Sequence, residues 1–131
     1  MIDLNKCNLK VSILILCLYF VSINAQQRFY DRRYDYYDID TLIQNPRLLK
    51  KYLDCFLEKG PCTPIGRVFR QILPDAVATA CEKCSPSQRR LARKTFNAIR
   101  RNFPQGYVEL MSKLDPKNKY YEAFGKAIAN A

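Results

Sequence analysis

A chain of 131 residues with 22 Lys and Arg against 12 Asp and Glu carries a formal net charge of +10 and contains no histidine. The missing imidazole removes the commonest general base, the usual metal ligand and every Ser/His or Cys/His nucleophile pair, so the composition points away from an enzyme and implies neither cofactor nor metal. The positive balance would suit nucleic acid or an anionic membrane. Its charges are nevertheless scattered over helical faces, with only the RR pairs at Arg32, Arg89 and Arg100 for concentration, which reads as a solvated surface and not as a nucleic-acid site.

Residues 1–25 open with a polar stretch carrying Lys6 and Lys10, followed by the apolar run Val11 to Ile23 and a small residue at Ala25. A run of that length is short for a bilayer-spanning helix and typical of a signal peptide. Ile23 fits the small-x-small rule poorly, and cleavage is expected after Ala25. The product, residues 26–131, then has 131 − 25 = 106 residues and one core, as a secreted, extracellular protein without stable membrane insertion. Its net charge becomes 20 − 11 = +9, and removal of Cys7 and Cys17 leaves four of six cysteines.

From Gln26 to Asp40 the sequence QQRFYDRRYDYYDID mixes aromatic residues with both charge signs and lacks helical periodicity, so an extended arm is expected, its tyrosines packing against the body. Asp38 and Asp40 sit near a helix start, where acids serve the helix dipole. Ile39, Leu42 and Ile43 follow at helical spacing. Asn45 and Pro46 form a cap and first-turn pair for a second helix, which carries Leu48, Leu49, Tyr52, Leu53, Phe56 and Leu57 and should end at Gly60 and Pro61. Thr63 and Pro64 begin a third helix with Ile65, Val68, Phe69 and Ile72 on one face, bent or interrupted at Pro74. Small residues from Ala76 to Ala80 would allow a neighbouring helix to approach closely.

Ser85 and Pro86 cap the next helix, in which Ala92, Phe96, Ile99 and Phe103 form the apolar stripe and arginines and lysines fill the remainder. Pro104 breaks it. A short apolar segment from Tyr107 to Leu114, the turn LDPKNK and a final helix with Tyr120, Tyr121, Phe124 and Ile128 complete the chain. No stretch alternates apolar and polar residues in the manner of a strand. The fold class is all-α, about six helices packed at angles in a compact orthogonal assembly.

Four cysteines, Cys55, Cys62, Cys81 and Cys84, follow C-x6-C-x18-C-x2-C. Four thiols allow three pairings, and spacing alone does not choose among them. Two local rings are one solution, because closing a short loop costs the unfolded chain little entropy. The first spacing is wider than a zinc knuckle, and no βαβ pattern precedes Cys81 as a redox dithiol would require. Export makes disulfides the expected state. The chain also lacks a Gly-rich phosphate loop, a calcium-binding acidic loop and an N-x-S/T acceptor. Its aromatic residues are accounted for by a helical core, or by the walls of an apolar cavity.

The cysteine spacing, RYDYYDIDTLI, NPRLLKKYLDC, the run KGPCTPIGRVFRQILPDAVATACEKCSPSQ and LDPKNKY together resemble the insect chemosensory proteins, also called OS-D-like, over nearly all of residues 26–131. The resemblance implies a secreted monomeric α-helical carrier with two short-loop disulfides, Cys55 to Cys62 and Cys81 to Cys84, around an apolar channel for small hydrophobic ligands such as long-chain fatty derivatives or semiochemicals. It places a pocket aromatic at Tyr52. Tyr107 stands where the family often has Trp, and Leu114 replaces the Tyr of its YDP segment. Within that frame the apolar stripes nominate Leu42, Ile43, Leu49, Tyr52, Val68, Phe69, Ile72 and Tyr107 as ligand-binding. The alternative is a basic interaction protein whose Arg89 to Arg101 helix meets an anionic membrane or a macromolecule without a ligand.

Overall fold

The computed structural model describes residues 4–25 and 30–131; the expected first residue after cleavage, Gln26, lies outside them. The chain divides into two units, residues 1–30 and 31–131. The first contains helix α1, Leu4–Ala25, which includes the apolar run and starts well before it. None of its described side chains is buried. Among the described residues no helix is long and apolar enough to cross a membrane.

The second unit holds six α-helices: α2 Ile39–Gln44, α3 Pro46–Phe56, α4 Pro64–Ala78, α5 Pro86–Asn102, α6 Pro104–Leu114 and α7 Tyr121–Ala129. No strand occurs among the described residues. Proline opens α3, α4, α5 and α6, where its missing N–H would have no intrahelical partner anyway. The preceding Asn45, Thr63 and Ser85 accept the backbone N–H of Leu48, Gly66 and Gln88 on their side-chain oxygens. Gln88 answers Ser85 with a bond to its backbone N–H, completing a capping box. Phe103, before Pro104, offers no side-chain cap.

Residues 31–37 are not the extended arm expected. Arg32–Tyr34 form a turn of 3-10 helix, begun by the Asp31 carboxylate accepting from the Arg33 N–H at 2.9 Å. The turn is pinned to the start of α5: Ser85 Oγ and Gln88 Nε2 donate to the two Asp35 carboxylate oxygens at 3.1 and 3.0 Å, and Gln88 Nε2 also reaches the Asp31 carbonyl. Tyr34 and Tyr37 then set their rings edge-on to Phe69, each at 6.2 Å. Tyr36 does not share the packing role, being 96% exposed.

One helix ends earlier than expected, and a second closes in the same way. Helix α3 stops at Phe56, before Gly60, because Glu58 adopts φ 60° and lets the Lys59 and Glu58 N–H groups bond back to the carbonyls of Asp54 and Cys55. Helix α4 ends the same way, with Ala80 at φ 52° and the N–H groups of Cys81 and Ala80 on the carbonyls of Ala76 and Val77. This left-handed position is normally glycine's, and no glycine in the described residues has a positive φ. Pro74 does not interrupt α4, which runs unbroken from Pro64 to Ala78; the proline is exposed, so its ring lies toward solvent.

Both disulfides close such helix ends. Cys55 joins Cys62 across the α3–α4 loop, and Cys81 joins Cys84 across the α4–α5 loop, each with a Cα separation of 5.0 Å. Rings this short restrict the unfolded chain modestly, by less than about 3 kcal/mol each in the loop-entropy account. Long-range cohesion therefore falls to the core. Leu49 of α3, Val77 of α4, Ile99 of α5 and Leu110 of α6 are wholly buried, each contributing roughly 1.5–3 kcal/mol by transfer from water. Helix α6 approaches α3 at Gly106, where a Cβ would lie 2.5 Å from Leu53 Cδ2. Phe96 of α5 meets Phe124 of α7 edge to face at 5.3 Å.

The α4 terminus generates the first prediction. Ala80→Gly removes the steric cost of φ 52° while leaving the Cys81 and Ala80 hydrogen bonds in place, so urea unfolding should show a gain of about 0.5–1 kcal/mol. A loss would mean that the left-handed geometry at Ala80 is not the one the chain adopts in solution.

Candidate functional site

Helix α5 presents Arg93, Phe96, Asn97 and Arg100 at i, i+3, i+4 and i+7, one continuous face. Helix α7 presents Tyr121, Phe124, Gly125 and Ile128 at matching intervals. These two faces, joined by Tyr107 from α6, enclose a part-open cavity of about 430 Å³, with Glu122, Lys126 and Ala129 completing the lining. The edge-to-face Phe96–Phe124 pair closes one side. Gly125 keeps space open, since a Cβ built there would meet nothing within 4 Å.

Helix α7 takes its position from Asp115. This buried carboxylate accepts the backbone N–H groups of Lys119, Tyr120 and Tyr121 at 2.8, 3.0 and 3.0 Å, gathering the LDPKNK turn and starting the helix. Asn118 bends the turn with φ 55°. Burial is the largest single influence on the Asp115 carboxyl and pushes its pKa up, but the three N–H donors together outweigh it and hold the pKa below the usual 3.8. No side chain of Tyr120 caps the helix, so Asp115 does this from five and six residues upstream of Tyr120 and Tyr121.

Seven of the twelve lining residues carry polar or charged groups. The Tyr107 hydroxyl is pushed up to about 12, first by burial and then by its hydrogen bond to Tyr121, with the Tyr121 charge adding to the rise and Arg100 opposing it. It is neutral throughout the physiological range. Glu122 pairs with Lys126 at 3.1 Å, both well exposed. Arg100 Nη2 reaches Asn97 Oδ1 at 3.4 Å, and the Arg93 Nε is buried without a hydrogen-bond acceptor.

Of the residues nominated from the sequence, only Tyr107 lines this cavity. Leu42 and Leu49 are buried, and Tyr52 is buried with its hydroxyl 2.9 Å from that of Tyr37 and within reach of Thr63 Oγ1. Tyr52 stacks edge-on to Phe56, and Phe69 receives Tyr34 and Tyr37. Burial raises the Tyr37 hydroxyl well above its ordinary value, with the Tyr52 hydrogen bond next in effect. Ile43, Val68 and Ile72 are half-buried on the same helices. Those seven residues belong to α2, α3 and α4 and do not line the α5–α7 cavity.

The arginine-rich face of α5 is likewise not simply solvated. Arg89 donates to the carbonyls of Cys81 and Ala127, tying α5 to the α4–α5 loop and to α7. Lys94 pairs with Asp40 at 2.8 Å. Arg93, half-buried, and Arg100, exposed, line the cavity, while Arg90 and Arg101 are exposed outside it. Asp38 does serve its helix start, accepting from the Thr41 hydroxyl and N–H, and these bonds hold its carboxyl below the usual value.

A family model described as the insect pheromone-binding family, A10/OS-D, matches residues 30–122. The chain belongs to this family. Ejaculatory bulb-specific protein 3 of Drosophila melanogaster is 34% identical over 123 residues, 94% of this chain and 96% of that protein. The allergen Tha p 1 of Thaumetopoea pityocampa is 38% identical over 95 residues, 72% of this chain and 75% of that one. Among solved structures, a chemosensory protein in complex with bromo-dodecanol has a TM-score of 0.67 at 30% identity, covering 78% of this chain and 99% of that one. The antennal chemosensory protein A6 of the moth Mamestra brassicae has a TM-score of 0.58 at 27% identity, covering 77% and 94%. The all-helical A10/OS-D fold with its two short disulfide loops is thus the fold of this chain.

The Asp115 knot gives a prediction with a defined pH sense. A carboxyl whose folded pKa is lowered stabilises the fold above its unfolded pKa, and that contribution disappears as pH falls through the folded value. Asp115→Asn should therefore lower the Tm at pH 7, and its deficit against wild type should shrink on acidification below pH 3.8. A deficit that stays constant with pH would show that the charge on Asp115 does not hold the turn.

Proposed function

We propose that this A10/OS-D chain is a secreted, monomeric carrier that binds and solubilises small hydrophobic molecules, long-chain fatty derivatives or semiochemicals, in the cavity between α5 and α7. The observation that carries the reading is the cavity itself, about 430 Å³ and walled by Phe96, Phe124, Ile128 and the rings of Tyr107 and Tyr121. Ligand pockets fall in the range of about 300–1,000 Å³, mostly apolar with a few polar groups. A relative of the same fold is solved with bromo-dodecanol, an alkyl alcohol of the kind such a space suits.

Burial of roughly 0.8 kcal/mol per CH₂ drives the binding. A chain of about a dozen carbons then gains roughly 10 kcal/mol, and subtracting a cost of association of ~4 kcal/mol leaves a Kd on the order of 0.1 mM. No step of bond making is assigned. The tyrosine hydroxyls serve as neutral hydrogen-bonding groups, and the reading assigns Tyr107 to ligand contact and Leu42, Leu49 and Tyr52 to the packed framework. Secretion rests on the apolar run in residues 11–23 behind Lys6 and Lys10, which fits a signal peptide of residues 1–25. The membrane-surface alternative finds less support, because Arg89, Arg93, Lys94 and Arg100 have places inside the fold's contacts or its cavity.

Gly125→Phe tests the site. Its ring would enter the open space beside Phe124, and a phenylalanine suits a helix better than glycine, so far-ultraviolet dichroism should be retained. Affinity for 1-dodecanol, read by displacement of a neutral naphthylamine fluorophore, should fall about tenfold or more, equivalent to ~1.4 kcal/mol. Unchanged affinity in the folded variant would remove this cavity from the proposal.

A further inference from the structure

The tyrosine-rich stretch before α2 takes no part in lining the cavity. Its residues Tyr34 to Tyr37 form a turn closed by the Tyr37 N–H on the Tyr34 carbonyl at 3.1 Å, and Asp35 fastens that turn to Ser85 and Gln88. The rings at its two ends are committed. Tyr34 and Tyr37 both lie edge-on to Phe69, and the Tyr37 hydroxyl meets that of Tyr52 at 2.9 Å. Tyr36, at the third position of the turn, is 96% exposed, so its ring contributes almost nothing to packing. The fold makes no use of this aromatic side chain.

The charge around Tyr36 is one-sided. From Asp35 to Pro46 the chain carries Asp35, Asp38 and Asp40 and no Lys or Arg. Asp38 and Asp40 are exposed, Asp40 beside Lys94, and upstream Arg33 is paired with Asp31 at 3.6 Å. A phenol held out from a fixed turn between carboxylates is an acceptor that a basic enzyme cleft can reach and recognise. The secretory route carries such enzymes, sulfotransferases that act on accessible tyrosines in acidic surroundings. We propose that Tyr36 is a site of O-sulfation. The phenolic oxygen bonds to the sulfur of a phosphoadenylyl sulfate donor, and the sulfur's bond to the donor phosphate breaks. The adenosine bisphosphate leaves with that electron pair, and the phenolic proton passes to a base of the transferase. The sulfate ester is ionised throughout the physiological range and takes the formal charge of residues 26–131 from +9 to 9 − 1 = +8. Other tyrosines are disfavoured by their places: Tyr52 is buried, the Tyr121 hydroxyl is bonded to Tyr107, and Tyr120 follows Lys117 and Lys119. This inference rests on the secretion reading and is independent of the cavity.

The test expresses the full chain in cultured insect cells and recovers it from the medium. The intact mass should exceed that of the cleaved chain by one SO₃ unit, and electron-transfer fragmentation of the peptide from Tyr34 to Arg47 should place the addition on Tyr36. Growth in chlorate, which starves cells of the activated sulfate donor, should remove the addition, and alkaline phosphatase should leave it. Tyr36→Phe should lose it while far-ultraviolet dichroism is unchanged, because the ring is exposed. Tyr34→Phe keeps a ring against Phe69 and should retain the addition. Secreted protein without the addition overturns the inference and leaves the carrier reading standing. A group removed by phosphatase is a phosphate and overturns it, as does a sulfate located on any other tyrosine. A chain retained inside the cells overturns the secretion reading and this inference together.

Discussion

Proline at the first position of four successive helices is the constraint on which the architecture rests. Its ring disfavours helical geometry in the preceding residue, and Asn45, Thr63, Ser85 and Phe103 take ψ values of 96°, 162°, 164° and 68°. Neither α2 into α3 nor α5 into α6 can fuse into one long rod, although each pair is separated by a single residue. The chain changes direction at each proline. Short helices that turn at their joints pack across one another, and Leu49, Val77, Ile99 and Leu110 are wholly buried in that packing.

The cavity follows from that geometry. The corner at Phe103 and Pro104 brings Tyr107 of α6 back toward the face of α5, while Asp115 gathers three N–H groups to fix where α7 begins. The α5 and α7 faces are then joined by the Phe96–Phe124 contact and by Arg89 on the Ala127 carbonyl, with Gly125 leaving space between them. The disulfides contribute at a different level. Each spans one loop, at sequence separations of 7 and 3, and so protects a helix end with a residue in left-handed geometry nearby. They stabilise corners, and the core and cavity walls do not depend on them for long-range contact.

Caps and stripes were legible because they are local. The side-chain cap before each of Pro46, Pro64 and Pro86 acts within three residues, and apolar periodicity needs only one helix. The ends at Glu58 and Ala80 were not legible, because a non-glycine residue enters the left-handed region only when the surrounding structure holds it there. Of the bend or interruption expected at Pro74, the interruption does not occur, because exposure lets its ring be accommodated toward solvent. The α5–α7 cavity was the hardest feature to see. Leu42, Leu49 and Tyr52 form the strongest apolar stripes, and for that reason they are buried in packing. On α5 the cavity-facing positions alternate Arg with Phe, a pattern that reads as solvated surface until Tyr107 and α7 are placed opposite. A lone glycine between Phe124 and Ile128 was the available signal, since glycine inside a helix is unfavourable without a reason.

The most direct test of the account is the position of a bound chain. A crystal grown with a fatty acid carrying bromine on its terminal carbon would locate the tail by anomalous scattering, independently of any substitution. The account places the bromine between α5 and α7, against Phe96, Phe124 or Ile128. A bromine found instead among Leu42, Leu49, Val68, Phe69 and Ile72 would contradict it, moving the ligand to the α2–α4 side of the core.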